Sequence, residues 1–266
     1  MPIQQYLKIG KPLTKQDTIN FQFKGRDTMV LLLPDLIEDR EKNHVRVEYE
    51  PKDSLFLEIY KDVVYGKPNS KTRNAHAMTY WKDEIKIFFA SSVPIKHAQE
   101  LMKFANEISS DIDSLKISKV GDKEESNFLV YYLNREHNTD YDPRITEDTG
   151  GYFIHWNGNH QIYKASLKIN TEIAEDEDLQ LQLLTYHFFK SLGYFKSSDT
   201  LNCESFLSSC RSFRNITAID KEILKYHYSY GICKGVNLDT FEEMHKDMQN
   251  TMLKHPNAKV YVIHEK

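Results

Sequence analysis

Tyr186, His187 and Lys190 occupy positions from which a helix can build a metal site, but their side chains suit different chemistry. In the stretch LLTYHFFKSLGY, residues 183–194, Tyr186 and Lys190 are four apart, His187 follows Tyr186, and Gly193 comes three residues after Lys190. Side chains at this spacing share one helix face, about 6 Å apart. Two imidazoles so placed hold a zinc ion, and a glutamate directly after the first serves as base. Here the ligand positions carry a phenol and an amine, and the base position carries an imidazole. A protonated amine has no lone pair to give. His187 lies about 100° round the helix from Tyr186, so one imidazole stands where two are needed. Three residues beyond Gly193, where a third ligand would fall, is Lys196, again the wrong type. Asp199 is the nearby residue able to ligate.

A displaced metal site would draw on His187 and Asp199 with His155 or His160. The last two are five apart and point to opposite faces of one continuous strand. A turn at 157–159 would be needed to bring them together. Other chemistries have less support. There is no G-x-S-x-G elbow, P-loop or G-x-G-x-x-G. Gly150–Gly151 reads as a turn, and the acids from Glu172 to Asp178 read as a helix N-terminus. Nothing in the spacing of Cys203 or Cys210 makes either the partner of His187 in a nucleophile–base pair. The cysteines, Cys203, Cys210 and Cys233, include no C-x-x-C. Cys203 and Cys210 are read equally as a loop-closing disulfide and as free thiols.

The elements that position these residues follow from periodicity. Thr18–Phe23, Met29–Leu33, Val45–Tyr49 and Leu55–Tyr60 alternate or run like strands, which predicts a β-rich module over residues 1–74. The polar stretch 66–74 reads as a linker. Beyond it, Glu84–Phe89 is strand-like, and Ile95, Ala98, Leu101, Met102, Ala105 and Ile108 recur at helical spacing. Leu115–Val120 and Asn127–Leu133 read as strands, 140–151 as a loop, and Gly151–Trp156 with Gln161–Asn170 as a hairpin. Helices are predicted at Glu175–Tyr194, Ala218–Ser229 and Leu238–Leu253, then a closing strand at Lys259–His264.

Residues 81–120 (WKDEIKIFFASSVPIKHAQELMKFANEISSDIDSLKISKV), SNFLVYYL at 126–133 and FRNITAIDKEILKYHYSYGICKG at 213–235 carry a family likeness. Over roughly residues 75–235 the chain resembles a bacterial family of poorly characterised zincin-like, metalloprotease-like proteins. The H-E-x-x-H motif of that family is degenerate here. The resemblance implies an α+β fold, a zincin-like mixed sheet with packed helices over residues 75–266, preceded by the small β-rich module. It also implies a cleft whose upper rim is the sheet's edge strand, on which an extended peptide is bound by main-chain pairing.

Sixteen tyrosines and fourteen phenylalanines make aromatic packing a large part of the core. Tyr131, Tyr132, Tyr141, Tyr152, Trp156 and Tyr163 fall where the cleft rim would be. Tyr226 and Tyr228, with Ile223 and Leu224, read as core, and His227 among them as a satisfied or surface histidine. The net charge of −4 gives no electrostatic footprint for nucleic acid. No apolar run approaches the roughly 18–20 residues that span a bilayer. The start, MPIQQYLKIGKPL, has no apolar leader segment, so a soluble protein is expected. It would be cytoplasmic, or secreted or periplasmic if a leader has been removed.

The expected function is that of a catalytically inactive zincin-like protein. It would bind a protein or peptide through a remnant cleft formed by Tyr152, Trp156, Tyr163, Tyr186, His187 and Lys190. No cofactor is expected. Two alternatives are a zinc-dependent hydrolase with a displaced site at His155, His160, His187 and Asp199, and an interaction protein acting through the β module.

Overall fold

The computed structural model describes residues 2–8, 13, 22–24, 27–29, 44–68, 76–210, 215–254 and 259–265. The chain divides into two compact units, Met1–Val47 with Tyr261–Lys266, and Glu48–Val260. The boundary between these units falls at Val47/Glu48, and most of the polar stretch 66–74 lies outside the described residues. In the smaller unit, a short helix α1 (Ile3–Lys8) precedes an antiparallel hairpin of β1 (Gln22–Lys24) and β2 (Asp27–Met29). Strand β3 (His44–Glu48) pairs with β10 (Tyr261–Glu265), the predicted closing strand. The expected strand residues 30–33 lie outside the described residues.

The larger unit opens with a helix where a strand was expected. Leu55, Leu57 and Ile59 alternate, yet Ser54–Tyr65 is helix α2. The residues it buries include Phe56, Ile59, Tyr60, Val63 and Val64, an i, i+3, i+4, i+7, i+8 stripe, with Tyr65 beside them. Asp53 caps it by accepting from Phe56 N at 2.8 Å. A period of two was read from three apolar residues inside a longer helical pattern.

The fold is α+β, with a mixed, mostly parallel sheet. Its strands are β4 (Tyr80–Trp81), β5 (Ile85–Phe89), β6 (Ile117–Lys119), β7 (Phe128–Leu133), β8 (Gly150–Trp156) and β9 (Gln161–Asn170). Across the sheet the order is β6-β5-β7-β9-β8, with β4 paired to the first residues of β9. All these pairings are parallel except β8 on β9, which is antiparallel. Helices α3 (Ile95–Ser109), α4 (Glu177–Ser191), α5 (Ala218–Tyr228) and α6 (Leu238–Lys254) supply the remaining regular structure.

The central strand shows why the sheet must be covered on both faces. Phe128, Val130 and Tyr132 join the main core, while Leu129 and Tyr131 join a smaller cluster on the opposite face. The long loop 134–149 reaches this second face. Tyr131 donates to Asp140 at 2.5 Å, and the buried ammonium of Lys168 donates to Asp140 at 3.4 Å and to the Ile145 carbonyl at 2.5 Å. On the main face, His97 of α3 meets the Tyr132 hydroxyl at 2.8 Å. Tyr226, Tyr228, Ile223 and Leu224 are core, as read from the sequence. No helix among the described residues is long and apolar enough to cross a membrane.

Candidate functional site

Helix α4 carries the motif residues, and both its ends are fixed by side chains. At the start, Asp176 accepts from Leu179 N at 2.8 Å, and Glu177 and Asp178 sit in the positive first turn. At the end, orphan carbonyls find donors on other elements. Trp81 Nε1 donates to the Ser191 carbonyl at 3.3 Å, Tyr228 Oη to Leu192 at 2.5 Å, and Thr79 Oγ1 to Gly193 at 3.0 Å. Gly193 is required for close approach. A Cβ there would sit 2.5 Å from Phe195 Cε1 and 2.9 Å from His227 Nε2. The glycine expected to stop the helix is thus fixed by packing on a buried histidine. His227 is completely buried, meeting Tyr60 Oη at 3.1 Å and the Thr79 carbonyl at 3.0 Å. Burial, and then the nearby Lys234, hold its imidazole down to about 3.

Helix α4 packs against β8. Ile154 belongs to the core and Tyr152 packs against it, so the alternate residues Tyr152, Ile154 and Trp156 face the helix. Between β8 and α4 lies a cavity of about 400 Å³. Five of the six residues expected to form a cleft line it: Tyr152, Trp156, Tyr186, His187 and Lys190. Their rings are in contact, with Tyr152 and His187 at 6.1 Å and Tyr186 and His187 at 5.0 Å between centroids. Tyr163 is not among the lining residues. It lies 54% exposed against the His155 ring, on the other side of the strand. The bulge between His155 and Trp156 shifts the register there.

The outer edge of β8 runs along this cavity. Asn170 N donates to the Thr149 carbonyl at 3.0 Å, so Thr149 opposite Asn170 is a hydrogen-bonded pair. Such pairs alternate along an antiparallel ladder. With the register Gly151↔Lys168 and Phe153↔Ser166, the backbone groups of Gly151 and Phe153 turn to β9, and those of Tyr152 and Ile154 turn outward. Among the described residues no strand pairs with that outer edge.

The positions where metal ligands would stand hold an amine and a phenol in contact. Lys190 Nζ donates to Tyr186 Oη at 3.4 Å and to Ser197 Oγ at 3.2 Å, and lies 5.4 Å from the Tyr186 ring centre. Lys196, at the expected third-ligand position, donates to the Tyr194 carbonyl at 3.1 Å. Burial, and then the charge of Lys190, bring its amine down to about 7. This set of side chains does not fit a zinc site of the H-E-x-x-H kind.

The candidates for a displaced site are held elsewhere. His155 Nε2 accepts from Arg144 Nη2 at 2.9 Å, and Arg144 is engaged by both oxygens of Asp142. His160 sits in the 157–160 turn at φ 59°. Asp199 accepts from Lys67 at 2.6 Å and from Ser209, and Lys67 and then Ser209 keep its carboxyl below the usual range. The hairpin turn does not assemble these residues: among those described, no group of three or more His, Cys, Asp or Glu side chains is placed to hold a metal ion. Cys203 and Cys210, left open by their spacing, are joined by a disulfide, and Cys233 is free.

Arg144, Glu147, Gly151, Phe153, Ile154 and Tyr194 also line the cavity and were not among the expected cleft residues; Tyr194 and Glu147 are the informative cases. Tyr194 follows Gly193 with φ 52°, and its ring meets that of Trp156 at 5.6 Å across the cavity. Glu147 lies in the loop before β8, with Oε2 placed 2.7 Å from where a Gly151 Cβ would be. Neither has a spacing signal, because a positive φ and a loop approach are settled by tertiary packing. No protein-family model matches the chain, and no curated protein sequence is similar to it.

Proposed function

We propose that this chain is a non-hydrolysing, zincin-like protein that binds an extended peptide in the cleft between β8 and α4. The observation that carries this reading is the open outer edge of β8 beside the aromatic cavity. Tyr152 and Ile154 offer main-chain donors and acceptors there, and an added strand gains affinity from such groups. Further support comes from the order of the sheet, whose antiparallel edge strand lies over the helix bearing the degenerate motif. Specificity would come from the rings of Trp156, Tyr186 and Tyr194 and from Lys190. Those groups would bind and orient, and Lys190 stands where a hydrolase of this kind would carry a metal ligand.

Affinity selection of a degenerate peptide library on the full chain, read by mass spectrometry, tests the proposal. Retention of intact peptides, lost in Trp156→Ala, is expected. Cleavage abolished by a chelator and restored by zinc would overturn it in favour of a displaced hydrolytic centre. One tightly held zinc per chain, by elemental analysis, would point the same way.

A further inference from the structure

The cavity is polarised along its length. At the Tyr194 end Lys190 lines the cavity, and Lys196, just outside the lining, is near enough for the charge of Lys190 to depress its protonation. Their hydrogen-bond partners are the hydroxyls of Tyr186 and Ser197 and the carbonyl of Tyr194. Among the described residues no carboxylate pairs with either. At the Gly151 end lies Glu147, whose carboxylate rests over the Gly151 backbone and is paired with no cation among the described residues. Arg144, which also lines this end of the cavity, is paired with Asp142. Partly desolvated like charges without a counter-ion destabilise the empty site and favour an occupant that brings one.

The geometry points to a specific occupant, resting on the peptide-binding reading above. We propose that the cleft takes the C-terminal segment of a polypeptide, with its free α-carboxylate on Lys190 and its chain running parallel to β8. From Gly151 to Trp156 a strand rises about 17 Å, which accommodates roughly five residues. At the amine end the rings of Trp156 and Tyr194 meet from the two walls, so a chain entering along β8 stops there. A chain end fits such a stop better than an acidic side chain on a continuing chain. Lys196, behind Tyr194, adds to the field that selects the anion, and Glu147 favours an amine or basic side chain at the other end.

Two degenerate pentapeptide pools, one of free acids and one of C-terminal amides, decide the matter on the full chain. The acid pool is expected to bind about tenfold or more tighter than the amide pool. Lys190→Met should shrink the ratio of acid to amide binding toward one. A nitroxide on the peptide's N-terminus should broaden the amide signal of Gly151 more than that of Trp156. Equal binding of acid and amide pools, or broadening centred on Trp156, overturns this inference and leaves the cleft reading intact. Binding by neither pool to a folded protein overturns both.

Discussion

Two polar clusters within the larger unit treat charge in opposite ways. Asp220, on the first turn of α5, is completely buried. Its carboxylate accepts from Ser205 Oγ at 2.6 Å, Phe206 N at 3.2 Å, Thr217 N at 2.8 Å and Thr217 Oγ1 at 2.7 Å. It closes a capping box and ties the loop bridged by Cys203–Cys210 to the helix. At the cleft, Lys190 and the nearby Lys196 have no carboxylate partner among the described residues, and Glu147 has no cation partner among them. The first cluster is saturated within the chain, so it serves the fold. The second has hydrogen-bond partners but no counter-charge, so it suits an occupant from outside the chain that brings one.

The sharpest way to break this contrast is Asp220→Ala. It strands several buried donors and removes a cap, so a loss of about 3–5 kcal/mol is expected in urea unfolding. A loss under about 1 kcal/mol would mean the network is not the anchor its geometry implies. Gly193→Ala should follow, costing about 1–3 kcal/mol by overpacking Phe195 and His227. Its effect on peptide binding would come through movement of Lys190, and a shifted affinity at unchanged stability would contradict the packing argument.

How far these two regions could be read in the sequence differs for a physical reason. Helix α3 was legible because Ala98, Leu101, Ala105 and Ile108 repeat at the period of one buried face, and β9 because its bounds coincide with turn residues. Helix α2 was not, because Leu55 and Leu57 fall on or beside its outer face and imitate alternation. In the cleft, Tyr152, Trp156, Tyr186, His187 and Lys190 were found through a spacing that one helix and one strand enforce locally. Tyr163 was misplaced because a bulge breaks that local rule. Glu147 and Tyr194 depend on loops brought in from other parts of the fold. The Asp220 network joins residues across a disulfide-closed loop, and no periodicity encodes it.

Acid separates the buried histidine from the cleft. His227 is held down to about 3, against about 6.5 in an unfolded chain. Between those values the unfolded state binds a proton that the folded state refuses. Its contribution is therefore complete above pH 6.5 and falls as pH drops toward 3, by about 1.4 kcal/mol per pH unit. Urea unfolding at pH 7, 6 and 5 checks the slope, and His227→Gln should flatten it. An unchanged slope in that variant would assign the acid sensitivity to other groups.

Lys190→Met is expected to have the smallest effect on folding and is the most telling. If the amine served the fold as Asp220 does, removing it would cost several kcal/mol. Its partners are instead a tyrosine and a serine hydroxyl at the cavity wall, so stability should change by no more than about 0.5 kcal/mol. The change should appear on its neighbour. With the charge of Lys190 gone, the Lys196 amine keeps the burial that lowers its protonation but loses the repulsion that adds to it. Its titration midpoint, followed by NMR at the carbon bonded to Nζ, should rise from about 7 toward the ordinary lysine range. Bound acid peptide should raise the same midpoint in the wild-type chain, because an anion favours the protonated amine. A midpoint that ignores both the substitution and the peptide would mean the two amines are not one electrostatic site, and the cleft would lose the feature that distinguishes it from the saturated cluster at Asp220.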